Sequence, residues 1–317
     1  MMYADTPRSR SMVARLEERY PNASANVVLA PRNVIQPLWA KCLEPALMRF
    51  ACDALADKQP QMSARRTLTV SQFAFIALLL TCAFVWVTAN ASSFFSTVAI
   101  LFGGLYFMLS ILRLFACVRS SPAPDGPNTR IADSDLPPYS VLVAVYDEAV
   151  VVPQLVRELL ALDYPADLLD IQILTEECDV ETRAALKQCT LPDHIAVITV
   201  PNGHPRTKPK ALNFDLPLTR GRFVAVFDAE DRPDPDQLRR AVAAYRAYDA
   251  RKVSRPSMRP LGCLQAALHV TNKRDGFLAR HFQLEYVALF DALLPVLSNL
   301  GLPLPLGGTS NHFFGIR

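Results

Sequence analysis

The stretch RFVAVFDAED (residues 222–231) decides how this chain is read. Arg222 to Phe227 reads as a buried, apolar strand. It ends abruptly in three carboxylates within four residues, Asp228, Glu230 and Asp231. Like charges this close repel unless something neutralises them. A hard divalent cation with oxygen ligands, Mg²⁺ or Mn²⁺, would do so and would leave positions open for phosphate oxygens. The alternative is a solvated acidic turn, which the N-terminus of the next helix favours in any case.

Working outward, the same pattern recurs. Residues 140–146 (SVLVAVY), 170–174 and 194–200 read as strands, and residues 150–162, 180–188 and 210–215 have helical spacing. Pro233 and Pro235 then open a helix that runs towards Tyr248, a position where proline is tolerated. Alternating strand and helix predicts an α/β fold, an open and mostly parallel sheet with helices on both faces. Ligands in such sheets lie beyond the carboxyl ends of the strands. Those ends are Tyr146 to Glu148, Thr175 to Asp179, the loop from Gly203 to Asn213, and Asp228 to Asp231. The loop PRTKPKALN (residues 205–213) supplies three cations before a short helix, which suits a diphosphate or an acidic substrate and equally suits a bare basic loop. The acids of TEECD (residues 175–179) are placed to bond a ribose or base edge, or to cap the next helix. Neither G-x-x-x-x-G-K-[ST] nor G-x-G-x-x-G occurs, which argues against a P-loop ATPase and a dinucleotide-binding dehydrogenase.

The 317 residues are 51% hydrophobic and 20% charged, with a formal net charge of +3. Basic and aromatic residues form no interleaved stripe, so nucleic acid is not an expected partner. The seven cysteines include no C-x-x-C pair, so a zinc site or disulfide framework is not expected. Residues 67–112 contain no Asp, Glu, Lys, Arg or His. Residues 68–89 and 94–115 are each long enough to cross a bilayer core of ~30 Å. The short link Asn90 to Ser93 predicts a transmembrane helical hairpin. Arg65 and Arg66 precede it and Arg113 and Arg119 mark its end, so the excess of positive charge puts both flanks in the cytoplasm. Residues 1–66, interrupted by Pro21, Pro31, Pro37, Pro45 and Pro60, read as a polar region of short helices on linkers at the membrane surface. Residues 67–118 are then the hairpin, 119–138 a linker, and 139–317 the α/β domain. Residues 276–300 read as an apolar helix too interrupted to be a third span.

Seven segments in this order resemble the membrane-bound glycosyltransferase family 2, cellulose-synthase-like group: VLVAVYDE (141–148), LDYP (162–165), LTEECDVET (174–182), TKPKALN (207–213), FDAEDRPDPDQL (227–238), CLQA (263–266) and PLGGTSNHF (305–313). The resemblance implies a GT-A fold and inverting sugar transfer from a nucleotide-sugar, commonly a UDP-sugar. It places Asp228 and Glu230 at the D-x-D metal positions with Asp231 close by, and Glu177 and Asp179 near the uridine. Asp147 and Glu148 stand where the group often has Asn-Glu. Lys208 and Lys210 would face the diphosphate. Gly307, Gly308, Thr309, Ser310, Asn311 and His312 would line the acceptor side. The group's catalytic base lies in a T-E-D-type motif some tens of residues further on, with Q-x-x-R-W and more membrane helices after it, and is therefore expected beyond Arg317.

Two readings are open. One is a multi-pass enzyme, or a piece of one, at the inner membrane, building a glycan or polysaccharide with its transferase domain in the cytoplasm. It would use a glycan acceptor, the lipid bilayer and a partner subunit for export. The other is a truncated, non-catalytic membrane protein that keeps at most nucleotide-sugar and metal binding. A membrane scaffold with no nucleotide role fits the donor motifs less well.

Overall fold

The computed structural model describes residues 2–4, 14–15, 17–19, 28–65, 67–119, 131–255, 257, 259–272 and 274–315. Arg66 and residues 120–130 of the expected linker lie outside them, as does much of the first 27 residues. Two compact units emerge: residues 1–54, 125–266 and 306–317 form one, and residues 55–124 and 267–305 the other.

The first unit is built on a six-stranded sheet. Its strands are β1 (Tyr139–Val145), β2 (Leu169–Glu176), β3 (Ile195–Val200), β4 (Phe223–Phe227), β5 (Cys263–Gln265) and β6 (Asn311–Phe314), in the spatial order β3-β2-β1-β4-β6-β5. β1 to β4 are parallel, with Tyr139 opposite both Leu169 and Phe223. β6 joins β4 antiparallel, Val224 opposite Phe313, and β5 closes that edge antiparallel to β6. The expected parallel core is therefore present, with a two-stranded antiparallel edge. A separate parallel pair, Met2–Ala4 with Val28–Ala30, lies in the same unit.

Period-two alternation sends the strand side chains to two cores. One face carries Val141, Val143, Ile171, Ile173 and Ile195 against helices α4 (Val152–Leu160) and α7 (Gln237–Ser254), through Val152, Leu155, Leu238 and Val242. The other carries Leu174, Ala196 and Ile198. It is covered by α6 (Lys208–Asp215), through Ala211 and Phe214, and by α1 (Arg32–Cys42) and α2 (Glu44–Lys58), through Ala40 and Leu47. The reading of residues 1–66 as linkers at a membrane surface is corrected here. Residues 32–51 are a layer of the domain, since Ile35, Ala40 and Leu47 are buried and the last two pack with residues of β3. The end of the expected linker also belongs to the domain. Ile131 and Leu136 are buried, and Asp133 pairs with Arg239.

Beneath α1, the Asp170 carboxylate accepts from Gln36 (2.6 Å), Ser140 (3.0 Å) and Gln172 (3.1 Å). Nearby, Asp215 at the end of α6 is fully buried, and neither of its oxygens meets a hydrogen-bond partner among the described residues. Burial, with a smaller push from the Asp170 charge, holds its carboxyl well above the usual range. The unfolded chain gives up that proton near the ordinary value, so stability is complete at acid pH and falls as pH rises. Asp215→Asn removes the titration. It is expected to melt several degrees above the native chain at about pH 8 and to match it near pH 4. A thermal-shift series across that interval checks this, and equal melting at both ends would refute it.

The second unit is dominated by α3 (Val70–Arg119), with mean hydropathy 2.2 in its most apolar stretch and none of that stretch buried. Phe73, Leu80, Phe84, Leu101, Phe102 and Phe107 are all exposed. Apolar on every side, it is one helical run long and apolar enough to cross a membrane. Asn90 alone leaves helical geometry (φ −159°, ψ 87°). Its side chain caps the next turn, accepting from the Ser93 N–H at 2.9 Å. The expected four-residue link is therefore a one-residue break, and Ala91 to Ser93 are helical. Two helical stretches, residues 70–89 and 91–119, therefore meet at Asn90. Helix α8 (Phe277–Val287), a π-helical turn (Ala288–Leu293) and α9 (Leu294–Asn299) come later in the chain, Ala292 and Val296 packing on Ala116. Pro295 follows directly after the π-helical turn in this continuous helical run.

Candidate functional site

The carboxyl ends of β1, β2 and β4 meet the N-terminus of α6 in the first unit. A cleft of about 190 Å³ opens there, lined among others by Tyr146, Leu174, Glu176, Arg206, Thr207 and Lys208.

Asp147 comes just after β1 in the left-handed region (φ 58°), which a non-glycine residue adopts only when its surroundings hold it there. The hold is visible. The Asp147 N–H donates to Asp179 Oδ2 at 2.7 Å, and the Glu148 N–H to Thr182 Oγ1 at 3.0 Å. The other Asp179 oxygen caps α5 (Val180–Lys187) by accepting from the Thr182 N–H at 3.1 Å. Burial pushes the Asp179 carboxyl up, but the hydrogen bonds from Asp147 and Thr182 outweigh it and hold it below the usual range. Of the two roles open to the TEECD acids, Asp179 takes the helix cap, and it also locks the turn after β1. Glu177 is exposed beside it and accepts from the Asn202 N–H at 3.2 Å.

The two lysines of TKPK part company. Lys208 is half-buried and forms an ion pair with Asp228, while donating to the Gly308 carbonyl at 2.8 Å. Lys210 is only 2% exposed. Its ammonium lies 2.9 Å from Glu176 and 3.3 Å from the Gly203 carbonyl. The expectation that Lys210 faces a diphosphate is corrected by this burial, because residues two apart on a helix point to different sides. Glu176, the last residue of β2 and one of the TEECD acids, takes neither expected role and pairs with Lys210 instead.

The acidic turn after β4 is similarly divided. Asp228 is half-buried and Glu230 exposed. Asp231 turns inward, with Oδ2 accepting from the Asp228 N–H at 2.8 Å and from the Thr309 hydroxyl. Burial raises the Asp231 carboxyl above its usual value. It braces the turn, and its metal-ligand role is not what this geometry favours. Burial also raises Glu148, with smaller pushes from the charges of Glu230, Asp147 and Asp228. Four carboxylates therefore share one field at the ends of β1 and β4.

The GGTSNHF segment supplies backbone more than side chains. Ser310 is left-handed (φ 53°), and its N–H donates to the Val226 carbonyl at 2.7 Å. Gln265 and Asn311 clasp the turn through Gly307, each at 2.6 Å. Thr309, Ser310, Asn311 and His312, expected along an acceptor, are buried. His312 is 1% exposed, hydrogen-bonded to Tyr139 (2.6 Å) and Gln237 (3.1 Å), and burial lowers it to about 4, so it stays neutral. Gly307 and Gly308 keep the accessible edge.

No group of three His, Cys, Asp or Glu side chains among the described residues converges into a closed metal cage. Two carboxylates on an exposed strand end, with phosphate and water completing the shell, is how Mg²⁺ is ordinarily held. The hard oxygens of Asp228 and Glu230 fit such an ion.

The model of the family described as "Glycosyltransferase like family 2" matches residues 137–305, more than half of the chain. The chain belongs to glycosyltransferase family 2. Curated relatives include two β-monoglucosyldiacylglycerol synthases. That of Synechocystis sp. is 32% identical over 138 residues, 42% of this chain and 28% of that protein. That of Trichormus variabilis is 28% identical over 143 residues, 45% of this chain and 28% of that protein. The match to this family-2 chain therefore spans little more than a quarter of the length of either relative. Among solved structures, the mannosyltransferase PcManGT from Pyrobaculum calidifontis, in complex with GDP-Man and Mn²⁺, is similar at 22% identity and a TM-score of 0.40, over 68% of this chain and 60% of that one.

Proposed function

We propose that this chain carries the donor-binding centre of a membrane-anchored, inverting glycosyltransferase that uses a nucleotide-sugar, a UDP-sugar by preference, with Mg²⁺ or Mn²⁺. The observation that carries the reading is the convergence of Lys208, Asp228 and the Gly308 carbonyl at the strand ends of a family-2 domain. In this reading Asp228 and Glu230 hold the metal, which when bound neutralises the diphosphate leaving group. Lys208 and Arg206, beside the α6 N-terminus, receive the diphosphate. Tyr146 and Glu177 border the nucleoside, while Asp179 shapes that rim by holding the Asp147 turn. Gly307 and Gly308 edge the acceptor side. Asp147 and Glu148 contribute negative potential near the metal. No residue is assigned as the base that deprotonates the acceptor hydroxyl, a group inverting transfer requires.

The membrane assignment is part of the same reading. Residues 67–118 cross the bilayer as two spans that turn at Asn90, with residues 139–317 forming the GT-A domain in the cytoplasm of an inner-membrane, multi-pass protein. Support comes from the helix cap at Asn90 and from Trp86 and Phe94, whose rings stack edge to face at 5.7 Å across the break. Residues eight apart on a straight helix are separated by about 12 Å along the axis, so the chain bends sharply there. The cationic flanks Arg65, Arg113 and Arg119 fit the cytoplasmic side.

For the acceptor, a membrane lipid is favoured over a growing polysaccharide. Three of the curated relatives are β-monoglucosyldiacylglycerol synthases, and an apolar helix would keep the domain at the surface where such a lipid lives. Membranes containing the chain, given radiolabelled UDP-glucose and Mn²⁺, should label a chloroform-extractable glycolipid. Label in a high-mass water-soluble polymer would favour the polysaccharide reading. Label in neither, with no nucleotide binding by calorimetry, would sink both.

A further inference from the structure

Among the described residues, Lys208 joins the basic loop, the acidic turn and the glycine pair. Its ammonium rests on the Asp228 carboxylate and donates to Gly308 O at 2.8 Å, and the two side chains of the ion pair are 28% and 34% exposed. A lysine ammonium is a compact charge with three donors on a flexible stem. It lies at the N-terminus of α6, whose cap is Thr207, next to Arg206 on the wall of the cleft. Asp228 acts on Glu148 together with Asp147 and Glu230, and Lys208 acts on Asp231 beside it, so Lys208 is a counter-cation of that acidic cluster. The carboxylate that pairs with Lys208 is the one a divalent ion at this turn would use.

We propose that Lys208 is a resident counter-ion that competes with the divalent metal for Asp228 and is drawn off it by the donor diphosphate, so that metal and nucleotide bind cooperatively. This rests on the donor-site reading above and adds a regulatory property to it. Without nucleotide, the Asp228–Lys208 pair weakens metal binding. With nucleotide, Lys208 swings to the diphosphate oxygens, a charge-assisted bond stronger than its contact with Gly308 O. Asp228 is then free to ligate. Linkage requires the effect to be reciprocal, with metal tightening nucleotide by the factor by which nucleotide tightens metal.

The test is binding of Mn²⁺ alone, UDP alone and both together, by calorimetry and by the electron paramagnetic resonance signal of free Mn²⁺, on the full chain in detergent. In Lys208→Met, Mn²⁺ alone should bind about fivefold tighter than in the native chain. UDP with Mn²⁺ should bind about tenfold weaker, and the mutual enhancement should shrink. Lys208→Arg, which keeps the charge, should retain weak binding of Mn²⁺ alone. Unchanged or weaker Mn²⁺ affinity in Lys208→Met overturns the counter-ion proposal, even where Asp228→Asn still abolishes metal-dependent UDP binding. Metal-dependent UDP binding that survives Asp228→Asn would instead overturn the donor-site reading itself.

Discussion

Asp228→Ala and Glu230→Ala should each reduce the Mn²⁺-dependent part of UDP affinity by about 100-fold, since in the proposed donor site each supplies one of the two protein oxygens that would hold the metal. The loss should be confined to that part. The Asp228 backbone N–H, not its carboxylate, makes the bonds to Asp231 and Thr309, so the turn keeps its shape when the side chain is cut. Asp228→Ala also frees Lys208, so UDP affinity measured with a chelator should hold or rise. Calorimetry with and without Mn²⁺ separates the two components. Retention of the Mn²⁺ enhancement in both variants would remove these residues from the metal site.

Lys210→Met should destabilise the folded domain by ~3–5 kcal/mol, the usual penalty for leaving a buried charge without its partner. Glu176 is 6% exposed and both its oxygens lie 2.9 Å from the Lys210 ammonium. The double variant Lys210→Met, Glu176→Leu should recover most of that loss, because an apolar pair of similar volume replaces an ion pair that was costly to bury. Urea unfolding of the three proteins gives the comparison. A single variant as stable as the native chain would mean that water reaches Glu176. At temperatures where Lys210→Met is folded, its UDP affinity should match the native chain, whereas Lys208→Met should bind UDP with Mn²⁺ more weakly. The two lysines of one short motif thereby separate a positioning role from a binding one.

The division between these lysines illustrates how far the sequence can be read. The parallel core is legible because a strand covered on both faces reads as a near-continuous apolar run, as β1 and β4 largely do. The carboxylate turn is legible because three acids in four residues at the end of an apolar strand repel one another unless something neutralises them. The glycosyltransferase assignment comes from motif order and agrees with the family match over residues 137–305.

Other features depend on partners far away in the chain. Lys210 meets Glu176 across 34 positions, and Asp179 meets the Asp147 turn across 32. Gln36 reaches Asp170 across 134, which makes the N-terminal helices part of the domain. His312 is buried and hydrogen-bonded to Tyr139 and Gln237. Local sequence determined which segments are strands, where they end, and that oxygen and ammonium groups gather at those ends. Tertiary packing alone decided which of those groups are buried with a partner and which remain free to meet a ligand. A side chain's type sets the charge it carries, but desolvation by distant neighbours sets whether that charge is available.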